Sequence, residues 1–103
     1  MMDYDVDLLL PDHDKNPLKL YIENGILPGS FLQAVLSNDL REACGRADYI
    51  NKQKIVDIVS WLFNEAPASC WGSTVNVVEW NKMGGLNGIA AIQEGQALHG
   101  VTE

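Results

Sequence analysis

Basic residues are scarce in this 103-residue chain: seven Lys and Arg stand against fourteen Asp and Glu, a formal net charge of −7. Direct nucleic-acid binding needs cationic groups that displace phosphate counterions, and no basic stripe exists here. Nucleic acid is therefore not an expected partner. Cysteine is also rare. Cys44 and Cys70 show no C-x-x-C spacing, so two free thiols are expected rather than a disulfide. No apolar run approaches the roughly 18 residues of a membrane span, and "VDLLLP" is far shorter. The start is acidic (Asp3, Asp5, Asp7), the opposite of a secretory signal. "MGGLNG" lacks the lysine and following hydroxyl residue of a phosphate loop, and no internal repeat is found. Together these absences predict a soluble, intracellular protein with no membrane partner and no cofactor.

What is present is globular: 47% hydrophobic and 20% charged residues, at a length that suits one small domain. The charge is unevenly placed. Residues 1–14 carry −5, residues 15–48 carry 0 and residues 49–103 carry −2. Most of the excess is thus an acidic arm on a nearly balanced body, which suits a basic protein surface as partner.

The elements follow from caps and periodicity. Residues 1–15 are read as an extended acidic arm, whose Tyr4, Val6, Leu8 and Leu10 also alternate as an edge strand would. A short helix follows, with Asn16 as cap, Pro17 at its first position and Gly25 as stop. Leu18, Tyr21 and Ile22 share its buried face. Pro28 and Gly29 turn the chain, and Ser30 caps a helix starting at Phe31. Phe31, Leu32, Val35, Leu36, Leu40, Ala43 and Cys44 read as one apolar stripe on that helix, and Gly45 weakens its end. Asp48 caps the next helix, which runs to about Glu65, with Ile55, Ile58, Val59, Leu62 and Phe63 inward and Trp61 off the stripe. Pro67 ends it. Ser73 caps a third main helix to about Lys82, with Val75, Val78 and Glu79 on a half-buried face. Residues 84–103 hold five of nine glycines, enough to leave only a weak helix. The expected fold is all-α: a bundle of three to four short helices over 16–83, an acidic arm over 1–15 and a Gly-rich tail over 84–103.

Few residues suggest chemistry. In "PASCWGS", Ser69-Cys70-Trp71 matches the end of a cysteine-protease nucleophile motif, but the preceding Cys-Gly is missing. The only histidines are His13 in the arm and His99 in the tail, so a buried structural thiol is the expectation. Asp12, His13 and Asp14 are consecutive, and neighbours point apart, so a solvated turn is expected rather than a metal site. Asp39 and Glu42 lie one turn apart with Asp57 on the next helix, but Arg41, Arg46 and Lys54 interleave as on an ordinary solvated face. Tryptophan closes thin cores and also anchors interfaces. Trp71 and Trp80 are the candidate anchors.

"GILPGSFLQAVLSNDLREACGRAD" and "WLFNEAPASCWGS" together resemble small orphan proteins of tailed bacteriophages and prophages, over about residues 24–73. There a turn of the form G-I-x-P-G-S-F-L leads into a helix with A-V-L-x-N-D-L, and a second helix ends in E-A-P before a G-S cap. No catalytic residue carries over from that group. The resemblance implies a bacterial host cytoplasm and an accessory role. Small size, a balanced body, an acidic arm and the absence of a catalytic constellation suit a non-enzymatic accessory protein that binds and modulates or inhibits a host or anti-phage defence protein. Asp3, Asp5, Asp7, Asp12 and Asp14 would steer a basic surface, Asp39, Arg41 and Glu42 would offer a polar face, and Trp71 or Trp80 would anchor. The alternative is a sequestering protein, a homo-oligomer that holds a signalling nucleotide between subunits with Arg41, Arg46 and Lys54. A small hydrolase is the remote third reading.

Overall fold

A computed structural model describes residues 12–99, with side chains from 13 to 93. The acidic arm before residue 12, the possible edge strand in it and residues 100–103 lie outside the described residues. Six α-helices follow in order: α1 (Asp12–Asn24), α2 (Ser30–Leu36), α3 (Leu40–Arg46), α4 (Tyr49–Glu65), α5 (Thr74–Met83) and α6 (Gly85–His99). One 3₁₀ turn, Ala68–Cys70, links α4 to α5, and no strand occurs among the described residues. The all-α class is thus observed, with more helices than the three to four expected.

The extra helices have local causes. The expected single helix through Phe31 and Cys44 breaks at Ser37-Asn38-Asp39. Asn38 adopts the left-handed region at φ 61°, a conformation that Asn tolerates better than other side-chain-bearing residues. Asp39 then caps α3, its Oδ1 accepting from the Glu42 N–H at 3.1 Å. Short polar side chains that bond the backbone compete with helix continuation. As a result Leu40 and Cys44, expected in the buried stripe, are exposed, and only Ala43 of α3 is buried. At the other end, α1 begins at Asp12, so Pro17 lies inside the helix rather than at its first position. α6 forms despite its glycines.

The starts of α4 and α5 fall where caps place them, whereas α2 starts at Ser30 itself, with Gly29 at the cap position and no side-chain cap bond. Asp48 accepts from the Asn51 N–H at 2.7 Å to start α4, and Ser73 accepts from Asn76 N–H at 3.1 Å to start α5. Gly25 and Gly84 stop α1 and α5 in left-handed conformation.

The core joins Leu18, Tyr21 and Ile22 of α1 to Leu32, Val35 and Leu36 of α2, and to Ile58, Trp61 and Leu62 of α4. Cys70, Val77 and Trp80 close it. Two helical phases differ from expectation. On α4 the buried face includes Trp61 (1% exposed), while Phe63 is 79% exposed and Val59 is also outside. On α5 Val77 and Trp80 are buried, and Val75, Val78 and Glu79 are exposed. Indole burial removes more apolar area from water than valine burial does, so each tryptophan turns its helix inward. Trp80 also donates from Nε1 to the Tyr21 carbonyl at 3.0 Å, and Tyr21 donates to the Cys70 carbonyl at 2.6 Å. These two bonds fasten α1 to the distal half of the chain.

Backbones meet where α1 ends against the α5–α6 joint. A Cβ on Gly85 would lie 2.5 Å from the Gly25 nitrogen, and Asn81 Nδ2 donates to the Gly25 carbonyl at 2.8 Å. "MGG" is therefore a packing device: glycine is required at Gly85 because no side chain fits between the two backbone segments.

Candidate functional site

Turning Trp61 into the core leaves α4 with a second apolar face. Seven of the nine residues from 55 to 63 are apolar, more than one helix stripe can bury against a single neighbour. Val56, Val59 and Phe63 are left outside. They fall at i, i+3 and i+7, on one side of a helix about 25 Å long. Leu40, turned outward by the break before α3, joins them at 65% exposure.

These side chains line an open groove of about 390 Å³ with Ile55, Ser60 and Asn64. A smaller cleft edged by Asn38 and Asp39 shares Leu40, Ile55 and Val59 with it, so the apolar face continues to the α2–α3 turn. The rim is polar. Asn64 is held by a bond from its Nδ2 to the Ser60 carbonyl at 2.9 Å. Contiguous exposed apolar surface with a polar rim is what association sites present. Covering Val56, Leu40 and Phe63 would gain about 1.5–3 kcal/mol for each side chain fully buried.

The residues expected at a site are scattered. Asp3, Asp5 and Asp7 lie outside the described residues, as does the side chain of Asp12. Asp14 is buried, 3% exposed, and so presents no steering charge at the surface. Trp80 is a core residue. Trp71 is half-buried against the core, and its carbonyl accepts from Asn76 Nδ2 at 2.9 Å. Arg41 is exposed on α3. Asp39, Glu42 and Arg46 do come together in a shallow polar cleft beside Gln33 and Thr74. Within it Arg46 Nε pairs with Glu42 at 3.2 Å, in the i, i+4 arrangement.

Lys54 pairs instead with Asp57 along α4 at 3.5 Å. The three bases of the nucleotide reading are therefore not gathered in that cleft, which Arg46 alone of them lines.

Cys70 is wholly enclosed, and burial pushes its thiol up to about 12. The nucleophilic thiolate is suppressed at neutral pH. Among the described residues no group of three His, Cys, Asp or Glu side chains is placed to hold a metal ion, and no helix is long and apolar enough to cross a membrane. Sequence reasoning missed Leu40, Val56 and Phe63 as surface residues. The available signal was the excess of apolar positions on α4 over what one buried face needs. No family model, curated protein or solved structure matches the chain.

Proposed function

We propose that this protein is a non-enzymatic binding module whose α3–α4 face docks a partner protein. The observation that carries this reading is the contiguous exposed set Leu40, Val56, Val59 and Phe63 around one groove on a single long helix. The groove suits an amphipathic helix laid along α4, with apolar residues at i, i+3, i+4 and i+7 in contact. The net charge of −7, five units of it in residues 1–14, favours a basic partner over a second acidic copy at long range, while the groove itself is lined by uncharged residues. The resemblance to phage orphan proteins supports a host or anti-phage defence protein of a bacterial cytoplasm as that partner, with modulation or inhibition as the outcome.

The test compares proteins captured from a bacterial host lysate by the wild type and by a Val56→Asp/Phe63→Asp variant. Both positions are exposed, so the variant keeps its melting temperature while losing the captured partner. Equal capture by both proteins, with folding intact, would remove the α4 face from the proposal.

A further inference from the structure

A second place in the molecule asks for a ligand of different chemistry. Where α1 packs by α2 and the start of α4, His13, Asp14, Pro17, Phe31, Asp48 and Asn51 line a cleft of about 320 Å³. Asp14 and Asn51 are 3% and 5% exposed, the only buried polar or charged residues among those described. Asp14 Oδ2 and Asn51 Oδ1 have no hydrogen-bond partner. Native interiors rarely leave such atoms orphaned. The Asn51 side chain does bond the Asp14 carboxyl, but the two atoms left over are both acceptors, so neither can satisfy the other without an added donor. At the rim, Asp48 Oδ1 is committed to the cap of α4 while Oδ2 lies 3.6 Å from His13 Nε2. Arg46 also reaches this cleft, but its Nε is engaged by Glu42.

We propose that this cleft binds an alkylammonium cation. An ammonium head carries three N–H donors and no acceptor, which matches Asp14 Oδ2, Asn51 Oδ1 and Asp48 Oδ2. Its methylene stem lies along Pro17 and Phe31, as lysine stems lie on apolar surface elsewhere. A guanidinium fits less well. Its planar fork prefers two oxygens of one carboxylate, whereas these acceptors belong to separate residues on α1 and at the start of α4. His13 stands 3.7 Å from Asp14 Oδ1 with its side chain half-exposed, and its rotation admits the head group. The same chemistry is offered by a lysine side chain of another protein and by a free alkylamine. The cleft is distinct from the α4 groove, so the proposal stands whether or not that groove docks a helix.

The test titrates the labelled full-length protein with n-butylammonium at neutral pH and follows the Asn51 side-chain amide by NMR. Saturable shifts centred on Asn51 and Asp48 are expected, with affinity reduced about tenfold or more in Asp14→Asn. The isosteric variant places an amide donor beside Asn51 Oδ1 and keeps the fold. Butylguanidinium is expected to bind about fivefold more weakly. A blocked lysine peptide that saturates the same resonances more tightly than butylammonium would assign the site to a protein side chain, and the reverse order to a free amine. Absence of saturable shifts, or equal affinity in Asp14→Asn, would overturn the proposal. So would an Asp14 carboxyl carbon that reports the protonated acid at neutral pH and is unmoved by the amine, since a proton would then supply the missing donor.

Discussion

At the scale of single residues, the most consequential groups are buried and polar. Tyr21 holds α1 to the 3₁₀ turn through its hydroxyl, and burial raises its pKa, so it stays a donor across the working range. Tyr21→Phe orphans the Cys70 carbonyl and is expected to cost about 1–3 kcal/mol in urea unfolding. The thiols divide by burial: Cys44 is exposed and Cys70 is enclosed. Iodoacetamide on the native protein should therefore give one adduct by mass spectrometry, on Cys44, and a second only after unfolding. Asp14 has its pKa raised chiefly by burial, with Asp48 adding to the rise and His13 and Asn51 opposing it. A carboxyl raised on folding stabilises the fold below the ordinary carboxylate range. That contribution is lost as pH rises through its folded value. Asp14→Asn should match the wild type in thermal stability at about pH 3, and exceed it increasingly as pH rises toward about 7. Tyr21 was legible as a core residue because Leu18, Tyr21 and Ile22 repeat at helical spacing. The burial of Asp14 was not, because an aspartate within "PDHDKN" carries no local sign of what α4 will bring against it.

At the scale of elements, the break between α2 and α3 decides where Leu40 points, and so shapes the docking face. Asn38 at φ 61° and Asp39 as cap make that break. Asp39→Ala should cost about 0.5–2 kcal/mol through loss of the α3 cap. Asn38→Gly should be tolerated, since glycine enters the left-handed region freely. Denaturant unfolding of the two variants separates these outcomes. Caps at Asp48 and Ser73 and the stop at Gly25 were readable because a cap depends on residues within three or four positions. The phases of α4 and α5 were not. A helix with apolar residues on most sides can be rotated several ways, and Trp61 and Trp80 settle the rotation only through core packing with residues far along the chain, as in the Trp80 bond to the Tyr21 carbonyl. The Asp-x-x-Glu run at 39–42 held the sign of a new helix start, overridden in the reading by a stripe that looked continuous.

At the scale of the whole molecule, the described residues of this acidic protein form six helices that carry an uncovered apolar groove and a cleft with orphaned acceptors. The all-α class follows from composition and periodicity. The docking face does not, because it is the remainder left when Trp61 is turned into the core. A partner on this face must be apolar along α4 and polar toward Ser60 and Asn64 at the rim, and because no charge lines the groove its capture should depend little on added salt. The most direct measurement is site-specific photocrosslinking in host lysate, with a photoreactive residue placed at Val56 or, as control, at exposed Glu79 on α5. Docking through α4 predicts a crosslinked protein of a different mass from Val56 and none from Glu79. Crosslinks from Val56 only to a second copy of this chain, or the same product from both positions, would contradict it.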